Sequence, residues 1–192
     1  MSQKIQDILR ESIAVKTKVL EDATLIRLIG EVTTLIVESF RKGKHLYFCG
    51  NGGSAADAQH LAAEFSGRFY VDRDALPSEA LHCNTSYLTA VANDYSYDVI
   101  YSRLIKGLGK PGDILVGLST SGNSINIVKA FETAREKGMI TIGMTGEGGG
   151  RMKTLSDHLI SVPSRNTPRI QEAHMLIGHT ICQLVEEQYF GQ

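Results

Sequence analysis

Residues 46–64 read LYFCGNGGSAADAQHLAAE. Leu46 to Cys49 are continuously apolar, as a strand covered on both faces requires. They run into a glycine turn (Gly50, Gly52, Gly53) and then into an alanine-rich segment that favours helix. Turn glycines take φ > 0 and let a ligand approach the backbone closely. The helix behind them aims its free N–H groups and its dipole at the same spot, which suits an anion. Further along that helix His60 and Glu64 lie four residues apart, on one face and about 6 Å apart along the axis. This spacing suits an acid–base or metal-ligating pair, and by itself it suits an exposed helix pair equally well.

Outward from this stretch the same arrangement recurs. Ile114 to Ser119 forms a second buried-type strand, followed by STSGNS at 119–124 and a helix that runs to Lys137 and closes at Gly138. Further strands are expected over Glu79 to Asn84, Met139 to Met144 and His158 to Val162. Helices are expected over Ser86 to Asn93, Asp98 to Leu108, and Thr167 to about Tyr189, the last with Thr167 as N-cap and Pro168 opening the helix. Five short strands alternating with helices predict an α/β fold with a doubly wound, five-stranded parallel sheet. Ligands of such sheets bind beyond the carboxyl ends of the strands, where the strand order reverses. The glycine turn and the serine cluster both follow strands, so both belong on that edge.

Two additional N-terminal helices, over 3–20 and 22–42, precede the first strand. Ile5, Ile8, Leu9 and Ile13 recur at helical spacing in the first, and Leu25, Leu28, Ile29, Val32, Leu35 and Ile36 in the second. The breadth of the second apolar arc, with Met175, Leu176, Ile181 and Leu184 on the C-terminal helix, predicts packing between subunits, as a tetramer. No internal boundary divides the chain, so residues 1–192 read as one domain with 1–43 in a subunit interface.

A net charge of −1 supplies no field for nucleic acid, so any anion must be held by local geometry. No apolar run is long enough to span a membrane, and the first residues lack an apolar signal core, so a cytoplasmic protein is expected. Cys49, Cys83 and Cys182 are odd in number, far apart and in apolar surroundings, which predicts reduced core residues.

The serine cluster is the richest stretch chemically. Ser119, Thr120, Ser121 and Ser124 place four hydroxyls between a strand and a helix N-terminus, where hydroxyls and amides can surround a phosphate without lysine. A capped turn would need fewer. STSGNS together with GNGGSAADAQH, Ala92-Asn93-Asp94 and Arg169-Ile-Gln-Glu-Ala-His174 resembles the sugar isomerase (SIS) domains, and among them the sedoheptulose-7-phosphate isomerases, over nearly the whole chain. The resemblance implies a flavodoxin-like sheet, a homotetramer, and conversion of a phosphorylated seven-carbon ketose to the aldose, the first step toward nucleotide-activated heptose for cell-surface polysaccharide. It implies that Asn51, Gly52, Gly53, Glu64, Arg68, Asn93, Asp94, Thr120 and Gln171 contact substrate, and that Ser119, Ser121 and Ser124 hold the phosphate. It further implies one divalent metal per subunit, usually zinc, on His60, Glu64, Gln171 and His179, with Glu64 and His179 as the acid–base pair.

Some relatives carry an acidic residue where this chain has Pro168, which offers no side-chain acceptor. Gln171 and His179 are eight residues apart, about 80° around a helix, and on spacing alone His174 competes with His179. His45, His82 and His158 lie on or beside expected strands and read as structural. The resemblance also extends to a non-catalytic tetrameric adaptor of the replication initiator. Glu64 argues for the enzyme, because a binding module has no need of a carboxylate there. An isomerase of another sugar phosphate fits the same phosphate cradle.

Overall fold

The computed structural model describes residues 1–191. Strands β1 (Leu46–Gly50), β2 (Ser78–Ala80), β3 (Ile114–Ser119), β4 (Ile140–Thr145) and β5 (His158–Ser161) form one parallel sheet in the order β2-β1-β3-β4-β5. The order reverses between β1 and β3, which puts the glycine turn and the serine cluster side by side at their carboxyl ends. The helices are α1 (Ser2–Glu21), α2 (Ala23–Arg41), α3 (Gly53–Ser66), α4 (Thr85–Asp94), α5 (Ile100–Leu108), α6 (Ile125–Glu136) and α7 (Thr167–Phe190).

The two-residue period of the strands divides the core. Leu46, Phe48, Ile114, Val116 and Leu118 face α2, α3 and α7, while Tyr47, Cys49 and Leu115 face α5 and α6. Each fully buried Leu or Phe contributes about 1.5–3 kcal/mol relative to exposure, so both faces are well supplied. On α2 the side chain of Asp22 accepts from Thr24 N and Leu25 N, both at 3.0 Å, satisfying two orphan amides.

Four expectations change. The second strand ends at Ala80 rather than Asn84: it is an edge strand paired only with Leu46 to Phe48, and after Leu81 N bonds Phe48 O the chain turns away, Cys83 N reaching Ala80 O. For the same reason Cys83 is exposed, whereas Cys49 and Cys182 are buried, and all three are free. The N-cap of α7 is Asn166, with Thr167 already helical and Pro168 in the first turn. The apolar arc of α2 is largely spent within the chain, through Leu25, Ile29, Val32, Ile36, Val37 and Phe40. The uncovered apolar residues lie instead mainly on α1 (Ile5, Ile8, Leu9, Ile13 and Leu20), with Ile26 and Leu176 beside them.

The loop after α3 is pinned by a buried ion pair. Glu186 on α7 accepts from Phe69 N, Tyr70 N, Val71 N and Arg73 Nε at 2.8 to 3.1 Å. Burial alone would raise its pKa; the three amides and Arg73 outweigh that and hold it below the usual carboxylate value. Arg73 also donates to the carbonyls of Glu64, Phe65 and Gly67, a cation closing a helix C-terminus. The pair therefore ties the end of α3 to α7.

Candidate active site

Two groups of residues line the site. The first is the paired edge loops. Gly52, at φ +55°, makes the sharp step from β1 into α3 that a side chain would disfavour. In the neighbouring loop Gly122 lies at φ +65°, and a Cβ there would come within 2.1 Å of Gly149 O, so the serine cluster closes against the following loop only through glycine. Gly146 N to Thr120 O, Met152 N to Gly122 O and Arg151 N to Asn123 Oδ1 complete that brace.

Ser124 occupies the N-cap of α6, but its side chain makes no capping bond; its Oγ lies 2.9 Å from Ser119 Oγ. A simple cap would turn that hydroxyl onto the helix amides. Ser121 Oγ accepts from Asn123 N at 3.1 Å, so this serine does take part in a hydrogen-bonded turn. Thr120 is half-buried and Ser121 exposed. The result is a rim of hydroxyls over the first turn of α6, chemistry suited to phosphate oxygens.

The second group lies on the helices. His60 Nε2 is 3.0 Å from Glu64 Oε1 on the same helix and 2.9 Å from His179 Nε2 on α7. One ligand atom from each of the three lies within 4.8 Å of the others. Two imidazole nitrogens and a carboxylate form a donor set that divalent zinc takes, and bonds of about 2.0–2.1 Å in a tetrahedron put neighbouring ligand atoms about 3.3 Å apart, so the residues fit such an ion. Phe69 covers His179, ring centroids 5.6 Å apart. His174 is removed from competition: it is fully buried, its Nε2 faces Thr145 O at 3.1 Å, and burial pushes its imidazole down to about 4, only partly offset by that bond.

Gln171 is not with this trio. Its Nε2 is 3.4 Å from Ser54 Oγ, beside the glycine turn, and eight residues, about 12 Å of helix rise, separate it from His179. Asn93 and Asp94 close α4 and bond each other at 2.9 Å; both are exposed. Arg68 is exposed one residue past the α3 C-cap, Gly67. The expected residues on α3 are thus spread along it. His60 stands seven residues, about 10 Å, beyond Gly53, and Glu64 eleven residues, about 16 Å, beyond it.

Three residues escaped the sequence reading. Asn126, two positions past Ser124, pairs its amide with that of Asn51. Tyr97, three positions past Asp94, donates to Asn51 Oδ1 at 3.1 Å. Tyr101 donates to Gly50 O from a buried position. Their nearness to the recognised motifs was the only signal available.

The SIS domain family profile matches residues 9–146. A phosphoheptose isomerase of Aneurinibacillus thermoaerophilus is 52% identical over 190 residues, covering 99% of this chain and 96% of the relative. Among solved structures, the phosphoheptose isomerase from Neisseria gonorrhoeae aligns at TM-score 0.91 with 38% identity, covering 97% of this chain and 98% of that one. The phosphoheptose isomerase from Francisella tularensis aligns at 0.92 with 33% identity, covering 96% and 97%.

Proposed function

Because the chain belongs to the phosphoheptose isomerases of the SIS domain family, we propose that it converts sedoheptulose 7-phosphate to D-glycero-D-manno-heptose 7-phosphate. The observation that carries this reading is the convergence of His60 and Glu64 from α3 with His179 from α7. Moving a carbonyl between C1 and C2 needs a base for a carbon-bound proton and an acid for the carbonyl oxygen. Glu64 removes the proton from C1 and returns it to C2. His179 protonates the C2 carbonyl oxygen and takes the proton from the C1 hydroxyl as the aldehyde forms. Ser119, Ser121 and Ser124 hold the phosphate, with Thr120, the turn at Asn51 to Gly53, Arg68, Asn93, Asp94 and Gln171 along the sugar. A zinc ion on His60, Glu64 and His179 would supply Lewis-acid polarisation of the sugar oxygens. The product feeds nucleotide-activated heptose for cell-surface polysaccharide. The enzyme works in the cytoplasm, and no helix among the described residues is long and apolar enough to cross a membrane.

The assay that tests this supplies sedoheptulose 7-phosphate with and without a chelator and scores aldoheptose phosphate. Turnover that falls on chelation is expected. Turnover of a different sugar phosphate alone would reject the seven-carbon substrate.

The working form is a homotetramer with residues 1–43 in the interface. Supporting this are the exposed apolar residues of α1 and a groove lined by Leu20, Ile26, Leu176 and Leu184. The spread of the site along α3 gives assembly a catalytic purpose: the trio of one copy completes the phosphate cradle of another. Sedimentation at micromolar concentration should give four times the chain mass, 21.0 kDa; a monomer there rejects the assembly.

A further inference from the structure

Asn51 and Asn126 face each other across the two edge loops. Asn51 Nδ2 donates to Asn126 Oδ1 at 2.9 Å, and Asn126 Nδ2 donates back to Asn51 Oδ1 at 2.8 Å. Ile127 N also donates to Asn126 Oδ1, at 3.0 Å, which fixes the orientation of that amide and, by reciprocity, of its partner. Asn126 is 3% exposed, so the pair is screened from water on one side. Asn51 Oδ1 accepts a second bond from Tyr97 Oη at 3.1 Å. An amide oxygen has two lone-pair positions, so this one is saturated within the protein.

We propose that Asn126 is a positioning residue for sugar-phosphate recognition, holding the Asn51 side chain as a strut between the glycine turn and α6. Asn51 then meets the ligand through its backbone and its one remaining amide hydrogen, and its side-chain oxygen is not a substrate contact. The strut sets how far the amides of Gly52 and Gly53 stand from the hydroxyls of Ser119 and Ser124. Tyr101, on the carbonyl of Gly50, braces the same turn from below. This inference rests on the reading of the two edge loops as the phosphosugar site.

The test measures steady-state kinetics and calorimetric binding of sedoheptulose 7-phosphate for wild type, Asn126→Ala, Asn51→Ala and the double variant. Asn126→Ala should raise KM about tenfold, the usual effect of losing one to two hydrogen bonds, with kcat within about threefold of wild type. In the Asn51→Ala background the same substitution should add less than about twofold, because its effect passes through Asn51. Tyr97→Phe removes one hydroxyl from a half-exposed ring and keeps the fold safe; it should raise KM about threefold. Unchanged KM in both Asn126→Ala and Tyr97→Phe overturns the inference, as do additive effects in the double variant. A wild type that binds no sugar phosphate overturns the site reading and this inference with it, whereas binding by wild type with unaltered variants overturns the inference alone.

Discussion

Glu64→Gln should reduce isomerisation by a factor of about 10²–10⁴, the contribution of a positioned general base. The substitution preserves shape and removes the proton-accepting carboxylate. Glu64 is partly buried, its Oε1 3.0 Å from His60 Nε2, and its backbone carbonyl is held by Arg73, so the glutamine should occupy the same place. Fold, assembly and phosphosugar binding should persist. His179→Gln should show a comparable loss if His179 supplies the acid. Both residues belong to the group that fits a metal, so metal content must be measured beside kcat. Exchange of the C1 proton with deuterated solvent isolates the base step: it should vanish in Glu64→Gln. Near-normal turnover in Glu64→Gln would refute the assignment. A wild type without turnover that captures the replication initiator would establish the adaptor reading instead.

Replacing Ser121 and Ser124 together by alanine should act on the other end of the substrate. Each lost hydrogen bond to a charged phosphate costs about 1.5–3 kcal/mol, so the pair should weaken binding by about 10²–10⁴-fold. The fold should tolerate both changes, since neither side chain caps α6 and Ser121 is exposed. The loss should fall mainly on KM, with some on kcat because remote binding energy also supports catalysis. Unchanged affinity for sedoheptulose 7-phosphate would reject the phosphate cradle. The same variant tests whether the site is shared between copies. Mixed and reassembled with Glu64→Gln, it should restore part of the activity, because some sites then combine an intact cradle with an intact trio. No recovery in verified mixed assemblies would place the whole site within one chain.

Much of this was legible in the chain because it is local. A buried-type strand, a glycine turn and an alanine-rich helix constrain one another over a few residues, so the unit at 46–64 could be read directly. The strand count followed from repeating that reading, and the edge position of the serine cluster followed from its place after β3. His60 and Glu64 share a face because helix periodicity demands it. Where a local signal was weak the reading slipped. The bounds of β2 depend on how much of an edge strand finds a partner, and the cap of α7 on whether the chain enters helical geometry at Thr167 or one residue later.

Contacts across elements were another matter. Spacing on α7 left His174 and His179 as equals; burial against Thr145 consigned the first to the core, and the approach of α3 brought the second to His60. The family resemblance groups Gln171 with the trio, yet the eight residues between it and His179, about 12 Å of helix rise, carry it to the glycine turn. Asn126 and Glu186 carry no signature in a single sequence, because an asparagine in a first turn or a glutamate near a helix end is ordinary on a surface. The sequence by itself determined the strand–turn–helix units and the hydroxyl-rich turn after β3, since hydrophobic period and turn chemistry act within a few residues. Tertiary structure alone decided which side chains meet across α3, α6 and α7, because each such distance depends on how whole helices seat on the sheet.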